Sequence, residues 1–420
     1  MRLARVHRGT LPNPCCAITC ARPRRSCLPL RVAFGAPWLR DCIQLTSPLQ
    51  SAVEMSAACS LARARPSCTA GRVRGLTTEE LSHDARSGAV GKGGRMMRMP
   101  TTSPLPLLRP SALTHSTRSV RRGEIVSVGR GVYAPRVEWE SLAGWERDLA
   151  RVHAHLLVAP DDVLCLESAA LLWGLPTVGA GHPVHVLAPD TATSRHSGGV
   201  QVHTSAHADR IIEEIHGIRL TSRADTCVDI ARHRHPGIGL VAADAAVGAD
   251  RTIDSLSLVT LNEERMSARG RRAARWALSR ADGRAESAFE SLSRAAIEWW
   301  GFPPPELQHW IGADGAGGDR ADMWWSARRV AGEADGRIKY DGRFGDPAAA
   351  LRAREDRDRR LLRRGARAVV HWGWDDLTDG DALRALLMSV GLSPDHPPDL
   401  ARLATLRTTL RARPEGSEPP

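Results

Sequence analysis

The stretch DRADMWWSARRVAGEAD, Asp319 to Asp335, decides how the chain is read. Its two halves, Asp319 to Trp325 and Arg329 to Asp335, are strand-like runs joined by the short connection Ser326-Ala327-Arg328. Side chains alternate between faces along a strand. Asp322 and Trp324 therefore share one face of the first run, and Glu333 and Asp335 share one face of the second. Folded as a hairpin, the stretch brings three carboxylates together. Carboxylates that share a site repel one another unless a cation compensates, and a set of oxygen donors suits Mg²⁺ or Mn²⁺. The competing reading is a set of solvated acids on an exposed sheet face.

Upstream, between Leu278 and Trp300, the run ADGRAESAFESLSRAAIEWW has helical spacing, with Ala288, Phe289, Leu292, Ala296 and Ile297 on one face. Glu286, Glu290 and Arg294 follow at i, i+4 and i+8. This is the pattern of a solvated ion-pair stripe or of a helix that delivers Glu290 to the hairpin. GFPPPELQ reads as the turn between helix and hairpin. Downstream come EADGRIKY, then the charged helix AREDRDRRLLRRG, which carries Glu355, Arg357 and Arg360 beside Leu361 and Leu362. The apolar run Ala368 to Trp372 reads as a strand buried beside the hairpin.

Helix, hairpin, helix, strand is the core order of the PD-(D/E)xK restriction-endonuclease-like fold. Residues from about 271 to 377 resemble its very-short-patch-repair-like branch. That family's helix Glu, strand Asp, E-x-D-G and Glu-bearing helix match Glu290, Asp322, Glu333-Ala334-Asp335-Gly336 and Glu355. The resemblance implies an Mg²⁺- or Mn²⁺-dependent endonuclease. Asp322 and Glu333 would hold the metal, Glu290 and Asp335 would complete or tune its surroundings, and Lys339, Arg357 or Arg360 would offset charge in the transition state. Where many relatives of the broader fold carry a lysine this chain has Asp335, and the nearby lysine is Lys339.

The preceding half reads differently. Val120 to Pro135, VRRGEIVSVGRGVYAP, alternates apolar and polar residues around Gly129-Arg130-Gly131, which is a hairpin pattern. Arg121, Arg122 and Arg130 on such a hairpin suit phosphate contacts in the manner of a wing, or are plain solvated arginines. The twenty residues Pro100 to Ser119 hold one short helix more easily than three. Trp145 to Leu157 and Leu166 to Trp173 have helical spacing, whereas His182 to Leu187, Gly199 to His203 and Gly217 to Thr221 read as strands. Ser222 is placed to cap a helix over Ala224 to Arg232. GVYAP, SAALLWGLP, GIRLTSRADTCVDIAR and AADAA, within residues 118 to 248, resemble the AbiEi-like antitoxins of type IV toxin-antitoxin systems. The resemblance implies a DNA-binding winged helix followed by a regulatory module or one that neutralises a cognate toxin. His182, His185, His203 and His207 lie on strands and loops with no carboxylate at fixed spacing, and read as structural or surface histidines.

Composition agrees with a polyanionic partner, DNA first. The chain of 420 residues carries a formal charge of +11, and of its 58 basic residues only Lys92 and Lys339 are lysines. No apolar run is long enough to span a bilayer, so the expected location is cytoplasmic, with no membrane partner. Seven of nine cysteines fall before residue 69, without C-x-x-C spacing, so a zinc module is not indicated. Residues 1–98 read as a disordered or overextended N-terminus. The expected organisation of this multidomain α/β chain continues with a partial winged-helix-like segment (99–136), an AbiEi-like domain (137–265), a nuclease-like domain (271–380), and a C-terminal helix and tail (381–420).

Overall fold

The computed structural model describes residues 100–112, 116–188, 194–204, 209–312, 318–335 and 347–411. The expectations for residues 1–98 and for Gly336, Lys339 and His207 lie outside the described residues. The fold is mixed α/β, and its three sheets occur in chain order.

The first sheet is a hairpin, β1 (Ile125–Gly129) antiparallel to β2 (Val132–Pro135), preceded by the short helix α1 (Ser116–Arg121) and, before that, a 3-10 turn at Pro110–Ala112. Gly131 has φ +66°, which suits a tight reversal. After α2 (Arg136–Ser141) comes α3 (Gly144–Val158). Val128, Val132 and Ala134 of the hairpin bury against Ala150 and Ala154 of α3, with Leu105 closing the cluster.

The second sheet has six strands. Along the chain run β3 (Val163–Leu164), α4 (Leu166–Leu172), β4 (Val184–Leu187), β5 (Arg195–Ser197), β6 (Val200–His203), β7 (Ile212–Ile215) and β8 (Ile218–Thr221), and the spatial order is β5-β6-β4-β3-β8-β7. The pairs β3–β8 and β4–β6 are parallel, and the others antiparallel. Thr221 delivers Ser222, whose hydroxyl accepts from the Asp225 amide and caps α5 (Arg223–His233), as its position predicts.

His235 then caps α6 (Pro236–Ala249), with Nδ1 accepting from the Gly237 amide at 3.1 Å and Pro236 in the first turn. That role requires an unprotonated Nδ1, and burial pushes the His235 pKa down to about 4. The folded value is below the unfolded one of 6.5, so the unfolded chain takes up a proton that the folded chain refuses. The stabilisation is complete above pH 6.5 and is lost as pH falls towards 4. After allowance for solvent screening, this one group is expected to cost on the order of 1 kcal/mol in that window. His235→Asn, a cap that does not titrate there, should flatten the acid limb of a denaturation series, and an unchanged pH dependence would refute the assignment.

The helices α7 (Ser255–Glu264), α8 (Arg271–Leu278) and α9 (Ala288–Trp299) follow. The helix expected from Leu278 instead begins at Ala288, capped by Ser287. The interruption has a steric cause. Residues between α8 and α9 turn back so that Gly283 lies against Gly248 of α6, and a Cβ at Gly283 would lie 2.7 Å from the Gly248 amide nitrogen. Asp282 is fixed there by donating its N–H to Asp244 Oδ1 at 2.8 Å. Glu286 consequently lies ahead of the helix and pairs with Arg320 at 2.8 Å.

The third sheet contains β9 (Glu306–Gly312), β10 (Gly318–Trp325), β11 (Val330–Ala334) and, after α10 (Pro347–Arg363), β12 (Ala368–Trp372), in spatial order β12-β11-β10-β9. The β10–β11 hairpin is the predicted one, with Met323 opposite Gly332, and β12 lies parallel to β11. The last three residues of the run read as a turn after α9, Glu306 to Gln308, begin strand β9 at the sheet edge. The chain ends with α11 (Trp374–Thr378), α12 (Ala382–Ser389) and α13 (Leu400–Arg411).

One buried apolar core runs from Leu149 to Leu410, taking in α5, α6, α8, α9 and α13. Asp244 of α6, 1% exposed, accepts from Ser291 and Arg294 of α9 at 2.7 Å each. The segments assigned above to an antitoxin-like and a nuclease-like domain thus share one interior. No helix of the described residues is long and apolar enough to cross a membrane.

Candidate functional site

The acidic site is built where the start of α9 meets the β10–β11 hairpin. Ser287-x-x-Glu290 is a helix-start pattern. The Glu290 amide donates to Ser287 Oγ, the Ser287 hydroxyl donates to Glu290 Oε1 at 2.9 Å, and Glu290 Oε2 accepts from the Glu286 amide at 3.0 Å. This locks a 6% exposed carboxyl in place. Burial raises the Glu290 pKa, and the nearby Asp322 charge raises it further. Glu290 and Asp322 are thus brought together, as the sequence predicts.

Asp322 lies one residue beyond the Met323–Gly332 ladder pair, and its Oδ2 accepts from the Ala334 amide at 3.0 Å. The hairpin therefore places Asp322 against the backbone between Glu333 and Asp335. Glu333 is 1% exposed, and its Oε2 lies 2.9 Å from Arg357 Nη2. Arg357 also donates to the Arg320 carbonyl at 2.6 Å. The Asp335 amide donates to the Trp372 carbonyl at 2.9 Å, and Asp335 Oδ2 contacts His371 Nδ1 at 2.7 Å.

Sequence reading missed His371 and Asp358. His371 stands opposite Glu333 in the β11–β12 ladder, and its Nε2 contacts Asp358 Oδ1 at 2.9 Å, so one imidazole bridges two carboxylates. The available signal was a lone histidine in the apolar run AVVHW, together with Asp358 one residue after Arg357. Gln308 was missed as well. It holds φ +52° in β9, uncommon for a side-chain-bearing residue, and its amide donates to Glu290 Oε2 at 2.9 Å.

Other predicted residues are placed elsewhere. Glu355 is exposed on α10 and pairs with Arg359 at 3.3 Å, one position off the face that carries Arg354, Arg357, Asp358 and Leu361. Arg360 and Arg364 grip Asp319, at 3.0 and 2.7 Å. Arg121, Arg122 and Arg130 are exposed on α1 and around the β1–β2 hairpin, and Arg122 lies 3.7 Å from Glu124. Lys339 is outside the described residues. Among the described residues no group of three or more His, Cys, Asp and Glu side chains is arranged to hold a metal ion.

No family model matches the chain, and no solved structure matches it. Two proteins of Mycobacterium tuberculosis are each 35% identical to it over 216 residues, 51% of this chain and 74% of theirs. They are the uncharacterized proteins MT2308 of strain CDC 1551 / Oshkosh and Rv2248 of strain ATCC 25618 / H37Rv. The chain belongs to the family of Rv2248. The names in this Rv2248 family carry no activity, so the chemistry is argued from the side chains.

Proposed function

We propose that this Rv2248-family chain is a nucleic-acid-binding protein with a metal-dependent phosphodiesterase site at Glu290, Asp322 and Glu333. The observation that carries the reading is a buried Glu290 held beside Asp322, on the hairpin that also bears the buried Glu333. Two like charges kept close in a partly dry site favour a compensating cation. The oxygen donors fit Mg²⁺ or Mn²⁺. Because Mg²⁺ retains waters and takes only one or two carboxylates together with substrate phosphates, the two ligands Asp322 and Glu333 suffice without a third side chain. When bound, the ion supplies Lewis acidity and an acidified water for attack on the phosphodiester. Glu290 and Gln308 orient the approach from α9 and β9. Arg357, released from Glu333, offsets charge on the phosphoryl oxygens, and the exposed Arg121, Arg122 and Arg130 contact the DNA backbone away from the site.

A second reading has its own support. Arg357 compensates Glu333 from within, and His371 occupies the space between Asp335 and Asp358. This favours an AbiEi-like antitoxin or transcriptional regulator that keeps a nuclease fold as scaffold and binds DNA or a cognate toxin.

Plasmid cleavage and thermal unfolding in millimolar Mg²⁺ or Mn²⁺ separate the two. The nuclease reading expects metal to raise the melting temperature and support cleavage, with Asp322→Asn and Glu333→Gln folding yet losing the thermal shift and at least about 100-fold of the activity. Neither stabilisation nor cleavage by the wild type would overturn it and leave the scaffold.

A further inference from the structure

A second chemical cluster lies in the six-stranded sheet, where β6 and β4 meet α5. A cavity of about 310 Å³ opens there, within the size range of small-ligand sites, with Cys165, Leu166 and Leu187 as its apolar part and His203, His233 and Gln201 as polar walls. Leu166 holds φ +49° at this wall, a conformation that branched and bulky side chains seldom take.

Hydrogen bonding fixes what the histidines present. Arg234 grips Glu167 with two bonds, of 2.5 and 2.8 Å, and its Nη2 also reaches His185 Nε2 at 3.3 Å. Glu167 Oε2 stands at the same 3.3 Å from His185 Nε2, but the partner hydrogen-bonded to that nitrogen is the Arg234 guanidinium, which only donates, so Nε2 accepts and the proton sits on Nδ1. His185 Nδ1 lies 2.9 Å from His203 Nε2, which must accept, leaving the proton of His203 on Nδ1. His233 is set from the other side. Its Nδ1 donates to the Asp229 carbonyl at 2.8 Å, which leaves Nε2 as the ring nitrogen available to a ligand. The rings of His203 and His233 stand 6.3 Å apart, edge to face. The cavity is thus lined by a ring donor, His203 Nδ1, and by the second ring nitrogen of His233. Burial pushes both His185 and His203 down to about 4, so neither charges at neutral pH.

Charge completes the picture. Arg210 is held by Asp229 in two bonds, of 2.7 and 3.1 Å, and Arg265 by Asp225 at 2.5 Å. Arg269, exposed among the lining residues, has no carboxylate partner among the described residues. A polar ring edge that meets these two ring nitrogens, an apolar flank and a negative group that reaches Arg269 describe one class of molecule.

We propose that this cavity binds a mononucleotide, its base edge read by His203 and His233 and its phosphate paired with Arg269. The site is separate from the acidic cluster and does not depend on the nuclease reading.

Calorimetric titration of the full chain with each of the four ribonucleoside 5′-monophosphates tests it. At least one should bind saturably below millimolar concentration, and the matching nucleoside and inorganic phosphate should each bind about tenfold or more weakly. His203→Ala and Arg269→Ala should each weaken binding by about tenfold, whereas Asp322→Asn should leave it unchanged. Arg269 is exposed, so its variant is informative even if His203→Ala folds poorly. No saturable binding at millimolar concentration, binding indifferent to Arg269→Ala, or binding abolished by Asp322→Asn would each overturn the assignment.

Discussion

Arg294→Met is expected to destabilise the folded chain by about 3 kcal/mol near pH 8, because it strips the cation from a buried carboxylate. Asp244 is 1% exposed in α6, and Arg294 Nη2 contacts both of its oxygens, at 2.7 and 2.9 Å. Burial already pushes the Asp244 pKa up to about 6 while Arg294 pulls it down, so the variant value rises further. The sign follows from proton uptake. A folded value above 3.8 means that the folded chain holds the proton more tightly, so this group's stabilisation is full below 3.8 and disappears as pH rises through about 6. The variant should therefore lose more stability at pH 8 than at pH 5. Urea denaturation at both values decides the matter, and a variant as stable as the wild type at pH 8 would show that the pair is dispensable.

Gly332→Ala should be nearly as damaging, at about 2–3 kcal/mol. A Cβ at this position would lie 2.7 Å from Trp372 Cη2 and 2.9 Å from Trp325 Cζ3. Both rings are buried and pinned, Trp372 by its Nε1–H bond to Ser293 at 2.9 Å and Trp325 by a bond to the Pro303 carbonyl at 2.8 Å. Neither can yield without breaking a buried bond. The adjacent Glu333 would move with the strand, so any metal-induced rise in melting temperature should shrink too. A loss below about 0.5 kcal/mol in chemical denaturation would mean that the rings repack freely.

What the sequence made legible was local. Alternation placed β10 and β11, the Ser222 cap placed α5, and the apolar run placed β12. What stayed hidden depends on distant partners. Nothing in GFPPPELQ announces β9, because an edge strand is half solvated and three prolines stand directly before this one. The break before α9 is set by Gly248, which is 35 residues from Gly283. The resemblance set Glu290 beside Asp322, but the bridging of Asp335 and Asp358 by His371 requires the register of β11 on β12 and the face of α10.

The position of α6 limits how this chain can be divided. Apolar on almost every side and buried along its length, it lies against α5 on one flank and against α8 and α9 on others. A cut near residue 265, the expected boundary between the two domains, would leave each fragment with a raw oily wall. Neither half is portable. A transplant of the acidic site into another protein must carry Pro236–Ala249 with it, and inheritance by recombination would be expected to move both halves as one block.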